Sequence, residues 1–260
     1  MTRPKSYQRL TPLARYAPWA GDDLFTETYD LLAGFRTKSG YRVKPRISPA
    51  LLQRHPSGAW AEPNAFTLLD RYRAFTIWSL VKQVAALPDG EVLEVGSWKG
   101  GSALLMLRCL RAVASNAHVY ACDTYSRRSG MVKAGPRDPV YKDGMRMNAH
   151  LPAVADVERG AALLGIARPA ILDGIFPDET GTQLADARLR LCHIDVDVYE
   201  SAKDAFVFAW PRLVSGGVVV FDDYGFGDCG GVTDYVDEAP WGNRGTFIYS
   251  LSGQAIVVKR

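Results

Sequence analysis

The chain has 260 residues, of which 47% are hydrophobic and 23% are charged, so a chain that is disordered throughout is excluded. Its 31 Lys and Arg nearly balance 28 Asp and Glu, which gives no support to a dedicated nucleic-acid-binding protein. No apolar run reaches the roughly 18 residues that a membrane-spanning helix needs, and the first residues lack the apolar core of a signal peptide. The four cysteines form no CxxC pair, so we expect free thiols in a cytoplasmic protein without membrane or nucleic-acid partners.

Positive charge is concentrated at the start of the chain. Residues 1–60 contain ten Lys or Arg and four Asp or Glu. We expect residues 1–63 to form an extension with one or two short helices, acting as a lid or subunit contact, and residues 64–260 to form one domain. Five basic side chains lie within eleven positions of this extension: Arg36, Lys38, Arg42, Lys44 and Arg46. They form either a solvated basic loop or a mobile lid over an anionic ligand.

From residue 64 onward, apolar strands alternate with helices. The pattern first predicts a helix that Asn64 caps and that ends before Pro88, then a strand at 91–95, a helix at 103–113 and a strand at 118–122. A loop at 125–141 precedes helices at 142–150 and 154–164 and strands at 170–172 and 189–194. The last predicted elements are a helix at 201–210, a turn at 215–217, a strand at 218–221, a helix at 230–238 and strands at 245–250 and 254–259. This alternation predicts an α/β fold whose sheet is mostly parallel, with an antiparallel C-terminal strand.

Acidic residues mark the ends of four predicted strands. Glu94 lies inside the first, and Asp123, Asp195 and Asp222 follow the others. Parallel sheets bind ligands outside the carboxyl ends of their strands, near the point where the strand order reverses. These acids are therefore the strongest functional signal in the chain.

A glycine-rich turn joins the first strand of this domain to the following helix. It runs from Gly96 to Ser102 with the spacing GxxxGG, which argues against the GxGxxG fingerprint of a nicotinamide dehydrogenase. The carboxylate of Glu94 would repel a phosphate but suits an ammonium group such as that of S-adenosylmethionine. Asp123, at the end of the next strand, can accept both hydroxyls of a ribose. Together these features favour a class I methyltransferase core.

Two further acidic pairs follow later strands. Asp195 and Asp197 are separated by one residue, so their side chains can point to the same site, while Asp222 and Asp223 are adjacent. Buried carboxylates are costly unless a cation compensates them, and oxygen ligands alone favour Mg²⁺, or else Ca²⁺ or Mn²⁺. The alternative is that Asp197 and Asp223 cap a helix and a turn. His193, inside the preceding strand, is expected to be a core side chain.

Several strings of this sequence resemble the macrocin O-methyltransferase family. They include Glu94 to Ser102, Asp123-Thr124, His193-Ile-Asp-Val-Asp-Val-Tyr-Glu-Ser201 and Phe221-Asp-Asp-Tyr-Gly225, and the resemblance runs from about Arg71 to Lys259. Members of that family methylate sugar hydroxyls of antibiotics and related natural products. The resemblance therefore implies a Rossmann-like class I methyltransferase fold, S-adenosylmethionine and Mg²⁺ as cofactors, a glycosylated small molecule as acceptor and a homo-oligomer.

The resemblance also implies a role for each matching residue. Asp195, Asp222 and Asp223 would bind Mg²⁺, and Asp197 would be the general base. The residues implied to line the S-adenosylmethionine site are Glu94, Gly96, Ser97, Gly101, Ser102, Asp123, Gly174 and Asp195. Two other functions stay open, namely an O-methyltransferase that acts on a phenol or catechol and a cofactor-binding subunit without activity.

Overall fold

A computed structural model describes residues 18–33, 37–38, 41–42, 65–125, 133–141, 152–239 and 241–260. The helix predicted at 142–150 lies outside these residues, as do the proposed cap Asn64 and most of the basic segment 36–46. Within that segment, Thr37–Lys38 pairs with Tyr41–Arg42 in a short antiparallel ladder. None of the helices in the described part of the chain is long and apolar enough to cross a membrane.

The centre of the fold is a seven-stranded sheet. Its strands are β1 (Glu91–Val95), β2 (Val119–Asp123), β3 (Ala170–Asp173), β4 (Leu189–Ile194), β5 (Leu213–Phe221), β6 (Gly245–Ser250) and β7 (Gln254–Lys259). Their order across the sheet is β3-β2-β1-β4-β5-β7-β6. The first five are mutually parallel, and β7 runs antiparallel to both of its neighbours. The order reverses between β1 and β4, so the fold places its ligand crevice where these two strands end.

Six helices surround the sheet in the described ranges. They are α1 (Asp23–Leu32), α2 (Arg71–Val84), α3 (Gly101–Ala112), α4 (Val154–Leu164), α5 (Tyr199–Arg212) and α6 (Gly230–Glu238). Alternate residues of each strand point to opposite faces. Val92 and Leu191 accordingly join the core formed with α1, α2 and α3, whereas Leu93 and Cys192 join the core formed with α5 and α6. The predicted α/β fold with a mostly parallel sheet is confirmed.

Several predicted boundaries were wrong for local reasons. Helix α2 begins at Arg71, because the Asp70 carboxylate accepts hydrogen bonds from the Tyr72 and Arg73 backbone N–H groups and caps the helix there. Helix α3 begins inside the glycine-rich turn, at Gly101. Strand β5 runs back through the predicted turn at 215–217, with an irregular register against β4.

Helix α5 begins two residues earlier than predicted, and Asp197 is not its cap. The Tyr199 N–H at the helix start donates to the carboxylate of Asp138, a residue from the loop at 133–141, at 2.9 Å. Asp138 is buried and also accepts from the Gly135 N–H, so it fixes this loop against the start of α5. The side chain of Asp197 is therefore left for another role.

Candidate active site

The glycine-rich turn after β1 lies against the loop that follows β4. Gly96 adopts a left-handed φ of 89°, and a Cβ added to it would lie 1.7 Å from the backbone oxygen of Asp195. Only glycine permits so close a contact between two backbones. Gly96 therefore brings the predicted cofactor turn directly onto the loop that carries the predicted metal-binding acids.

The carboxylate of Asp123 organises the predicted ribose position at the end of β2. Its Oδ2 accepts from the Trp98 N–H and its Oδ1 from the Thr124 N–H, both at 2.7 Å. Burial raises the pKa of Asp123 despite these hydrogen bonds. The backbone of Gly174 joins the same place, because its N–H donates to the Asp123 backbone oxygen at 2.9 Å. The structure thus places Asp123 and Gly174 beside the glycine-rich turn.

The remaining predicted cofactor residues lie in the turn itself. The Ser97 hydroxyl is buried and 2.6 Å from the hydroxyl of Tyr125. Ser102 is buried in the first turn of α3. The Gly101 N–H already donates to the Phe66 backbone oxygen, and a Cβ at Gly101 would lie 2.4 Å from that oxygen. Gly101 therefore permits a close backbone contact, whereas its N–H is not free for a ligand.

Glu94 forms a fully buried pair with His193 beneath the turn. The strand register sets them opposite each other on β1 and β4, and His193 Nδ1 lies 2.9 Å from Glu94 Oε1. Burial lowers the pKa of His193, but the hydrogen bond and the negative charge of Glu94 outweigh it and raise that pKa. Glu94 Oε2 and His193 Nε2 have no hydrogen-bond partner within the described ranges. His193 is a core residue as expected, but its partner is an acid that the sequence assigned to the cofactor.

Four carboxylates converge at the ends of β4 and β5, as the sequence predicted. In one group, oxygens of Asp195 and Asp222 and a ring nitrogen of His193 all lie within 4.8 Å of one another. In a second group, oxygens of Asp197 and Asp223 and the Cys229 sulfur lie within the same distance of one another. Burial is the main cause that raises the pKa of Asp195 and Asp197 well above its usual range, and neighbouring carboxylates add to the shift. Burial also raises the pKa of Asp222 to about 6. Burial and the neighbouring carboxylates thus both disfavour the charged forms of these acids.

Comparison with known proteins identifies the enzyme family of this chain. Residues 34–239 match the model of the macrocin-O-methyltransferase (TylF) family. The chain belongs to this family. It is therefore an S-adenosylmethionine-dependent O-methyltransferase, as the motifs predicted.

Individual relatives match about two thirds or more of this chain. The 8-demethyl-8-(2,3-dimethoxy-alpha-L-rhamnosyl)-tetracenomycin-C 4'-O-methyltransferase of Streptomyces olivaceus is 32% identical over 73% of this chain and 72% of its own length. The demethyldecarbamoylnovobiocin O-methyltransferase of Streptomyces niveus is 30% identical over 67% of this chain and 68% of its own length. The solved structure of the O-methyltransferase NovP superposes with a TM-score of 0.70 over 92% of this chain and 98% of that one, at 22% identity, which confirms the fold.

Arg73 belongs to the candidate site, although the sequence did not point to it. Its Nη1 lies 2.6 Å from Asp222 Oδ2 and 2.8 Å from Asp223 Oδ1, so one guanidinium nitrogen bridges both acids. Gln254 Nε2 donates to the other oxygen of Asp222 at 2.8 Å. Arg73 lies about 150 positions before its partners, and an arginine in a first helical turn usually faces solvent, so no sequence signal could single it out.

Asp197 has surroundings that set it apart from the other acids. Its backbone adopts a left-handed φ of 61°, a conformation that it shares with Asp223 and that costs a non-glycine residue about 1–3 kcal/mol. The Cys229 thiol donates to Asp197 Oδ1 at 3.3 Å, and the Tyr141 hydroxyl lies 3.6 Å from the same sulfur. Asp197 therefore lies between Asp223 and a thiol, and Arg73 does not contact it.

Proposed function

We propose that this methyltransferase transfers the methyl group of S-adenosylmethionine to a hydroxyl on the sugar of a glycosylated natural product, in antibiotic biosynthesis. The two relatives are named as methyltransferases of a rhamnosyl-tetracenomycin and of demethyldecarbamoylnovobiocin. The acceptor class is carried over from them and from the family. A homo-oligomer is also proposed on the family resemblance, and light scattering coupled to gel filtration measures it.

The observation that carries the proposal is the contact between the two halves of the site. Gly96 lies in the turn proposed to hold the methyl donor, and Asp195 lies in the loop proposed to hold the acceptor side. The Asp195 N–H also donates to the Val95 backbone oxygen at 2.9 Å. Methyl transfer between two bound molecules depends on holding the reacting atoms close together and in line, and two adjoining loops at one sheet edge can do so.

We propose that the acid cluster holds a divalent metal ion, although its close groups are Asp195 with Asp222 and Asp197 with Asp223. Asp195, Asp222 and Asp223 supply the hard oxygen donors that Mg²⁺ prefers, and the single charge of Arg73, which bonds Asp222 and Asp223, cannot neutralise all of these carboxylates. Mg²⁺ bound by these three residues would orient vicinal oxygens of an acceptor and lower the pKa of the hydroxyl to be methylated.

Asp197 is proposed as the general base. Burial raises the pKa of its carboxyl, which favours uptake of a proton, and its Oδ1 accepts only a weak hydrogen bond from the Cys229 thiol at 3.3 Å. It takes the proton of the acceptor hydroxyl while that oxygen forms a bond to the methyl carbon. The bond between this carbon and sulfur breaks at the same time, and S-adenosylhomocysteine leaves with the electron pair.

A radiolabelled methyl-transfer assay tests the proposal. Glycosylated natural products and simple phenols or catechols are offered in parallel, with Mg²⁺ or with a chelator. We expect transfer only to glycosides and only with Mg²⁺. Transfer confined to phenols supports the open alternative instead, and binding of S-adenosylmethionine without transfer to any acceptor supports the inactive subunit.

The variant Asp197→Asn tests the base. It should lose about 10²- to 10⁴-fold in turnover, the usual contribution of a general base, while calorimetry shows unchanged S-adenosylmethionine affinity. Asp228→Asn is the matched control, because Asp228 is an exposed acid in the short turn between β5 and α6 and contributes no oxygen to the described cluster. Full turnover in Asp197→Asn refutes the assignment.

A further inference from the structure

We propose that Arg73 is a positioning residue that holds Asp222 and Asp223 in the metal-free enzyme, and that Mg²⁺ must displace its guanidinium from these carboxylates in order to bind. This inference rests on the metal site of the proposed function. It adds a competing internal cation to that site, so metal affinity is set partly by a residue of α2 that is not itself a metal ligand.

The hydrogen bonds around Asp222 show why the two cations compete. Both of its oxygens are engaged, because Oδ1 accepts from Gln254 and Oδ2 accepts from Arg73. The Asp222 side chain is 1% exposed and that of Arg73 12% exposed, so little solvent reaches the ion pair. A metal ion that takes an oxygen of Asp222 and one of Asp223 would occupy the place of the bridging Nη1. Two positive charges at one position repel strongly in such a buried site.

A second set of contacts gives the displaced guanidinium a place to stay. Arg73 Nε donates to Asp70 Oδ2 at 3.0 Å, and Asp70 also caps α2. The guanidinium carbon lies 5.1 Å from the centre of the Phe226 ring, within the range of a cation–π contact. Asp70 is half exposed, so its side of the arginine opens towards solvent. The far end of the side chain can therefore leave the acids while Nε keeps its partner.

The Arg73 pairs also place a positive charge against the acid cluster, in which Asp222 is buried and Asp195, Asp197 and Asp223 are half-buried. An arginine guanidinium carries its charge at any ordinary pH, and its hydrogen bonds bring that charge against Asp222 and Asp223. The guanidinium therefore stays charged and partly neutralises the cluster. A ligand that binds the same carboxylates must outcompete this internal cation, and removal of the cation should tighten the binding of that ligand.

Binding of Mn²⁺ to metal-free protein, measured by electron paramagnetic resonance, tests the inference without reference to activity. We expect Arg73→Gln to bind Mn²⁺ about 5- to 150-fold more tightly than the unsubstituted chain, the usual range of coupling between two ligands. Arg71→Gln is the matched control, since it removes the same charge from the same helical turn, but its guanidinium pairs with Asp30. The Mn²⁺ affinity of Arg71→Gln should change by less than about twofold, because water and salt screen a charge that does not contact the acids.

Thermal unfolding provides the second measurement. Without metal, Arg73→Gln should melt below the unsubstituted chain, because Asp222 and Asp223 lose their counter-charge. Mg²⁺ should raise its melting temperature by more than it raises that of the unsubstituted chain. If Arg73→Gln does not fold, Arg73→Met replaces it, since a methionine keeps much of the packing of the arginine stem but carries no charge. It should also bind Mn²⁺ more tightly.

Equal or weaker Mn²⁺ binding by the folded Arg73 variants overturns the inference, and so does equal tightening by Arg71→Gln, which would show a general charge effect. Absence of Mn²⁺ binding in every variant overturns it as well. Methyl transfer that is insensitive to a chelator refutes the metal part of the proposed function. The Mn²⁺ affinities of the Arg73 variants test the role of Arg73 independently of that result.

Discussion

The substitution Gly96→Ala tests whether the contact between the two loops builds the site. Alanine at a left-handed φ of 89° costs about 1–2 kcal/mol. Its Cβ would lie 1.7 Å from the Asp195 backbone oxygen and 2.6 Å from the carbonyl carbon, so backbone has to move. Forcing extra volume into a packed site costs about another 1–3 kcal/mol. The free energy of unfolding should fall by about 2–5 kcal/mol, the sum of these two costs.

Gly165→Ala is the control for the backbone conformation alone. Gly165 ends α4 with a left-handed φ of 64°, and no atom lies within 4 Å of the position that its Cβ would take. Urea unfolding should show a loss of only about 1–2 kcal/mol for it. Calorimetry should show weaker S-adenosylmethionine binding for Gly96→Ala and unchanged binding for Gly165→Ala. Equal losses of stability and cofactor affinity in both variants would refute the reasoning.

Two other features lead to further predictions. Glu94→Gln should lower the free energy of unfolding by about 3–5 kcal/mol, because it leaves His193 buried without its charged partner. The raised pKa of His193 means that the pair stabilises the fold below the ordinary histidine pKa and loses this effect as the pH rises, so urea unfolding should show a larger loss at pH 6 than at pH 9. A loss independent of pH would contradict the charged pair. Burial raises the pKa of Cys109 and Cys122 to about 12, and all four cysteines are buried, so a thiol reagent at pH 8 should label the chain only after unfolding. Rapid labelling of the folded chain would show that the thiols are accessible.

The sheet and its acidic edge could be predicted because both depend on local patterns. Short apolar runs bounded by turn residues are typical of buried parallel strands, and the residue after each run falls at the same sheet edge. The start of α2 could not be predicted in this way. Asn64 and Asp70 are both residue types that cap helices well. The Phe66 backbone oxygen accepts from the N–H of the distant Gly101, and this contact holds the residues before Asp70 outside the helix.

The pairing within the site depends on strand order, which the sequence does not state. Glu94 and His193 are opposite each other only because β4 lies beside β1, although two strands separate them in the chain. Arg73 reaches the acids because α2 packs over the sheet. The sequence therefore predicted which acids gather at this edge, but their buried partners could not be assigned before the topology was known.

The strand ladder also explains how the proposed positions of the methyl donor and the methyl acceptor can be fixed with little help from side chains. Val95 pairs with Ile194, and the next residues along these strands are Gly96 and Asp195, whose backbones are in contact. The distance between the Gly96 and Asp195 backbones is thus set by the hydrogen bonds of the ladder and by the lack of a Cβ at Gly96. Asp197 and Asp223 then turn back through left-handed conformations. In the proposed function, the geometry of methyl transfer is therefore set by this sheet edge, which leaves the loops proposed to face the acceptor free to vary between relatives that methylate different molecules.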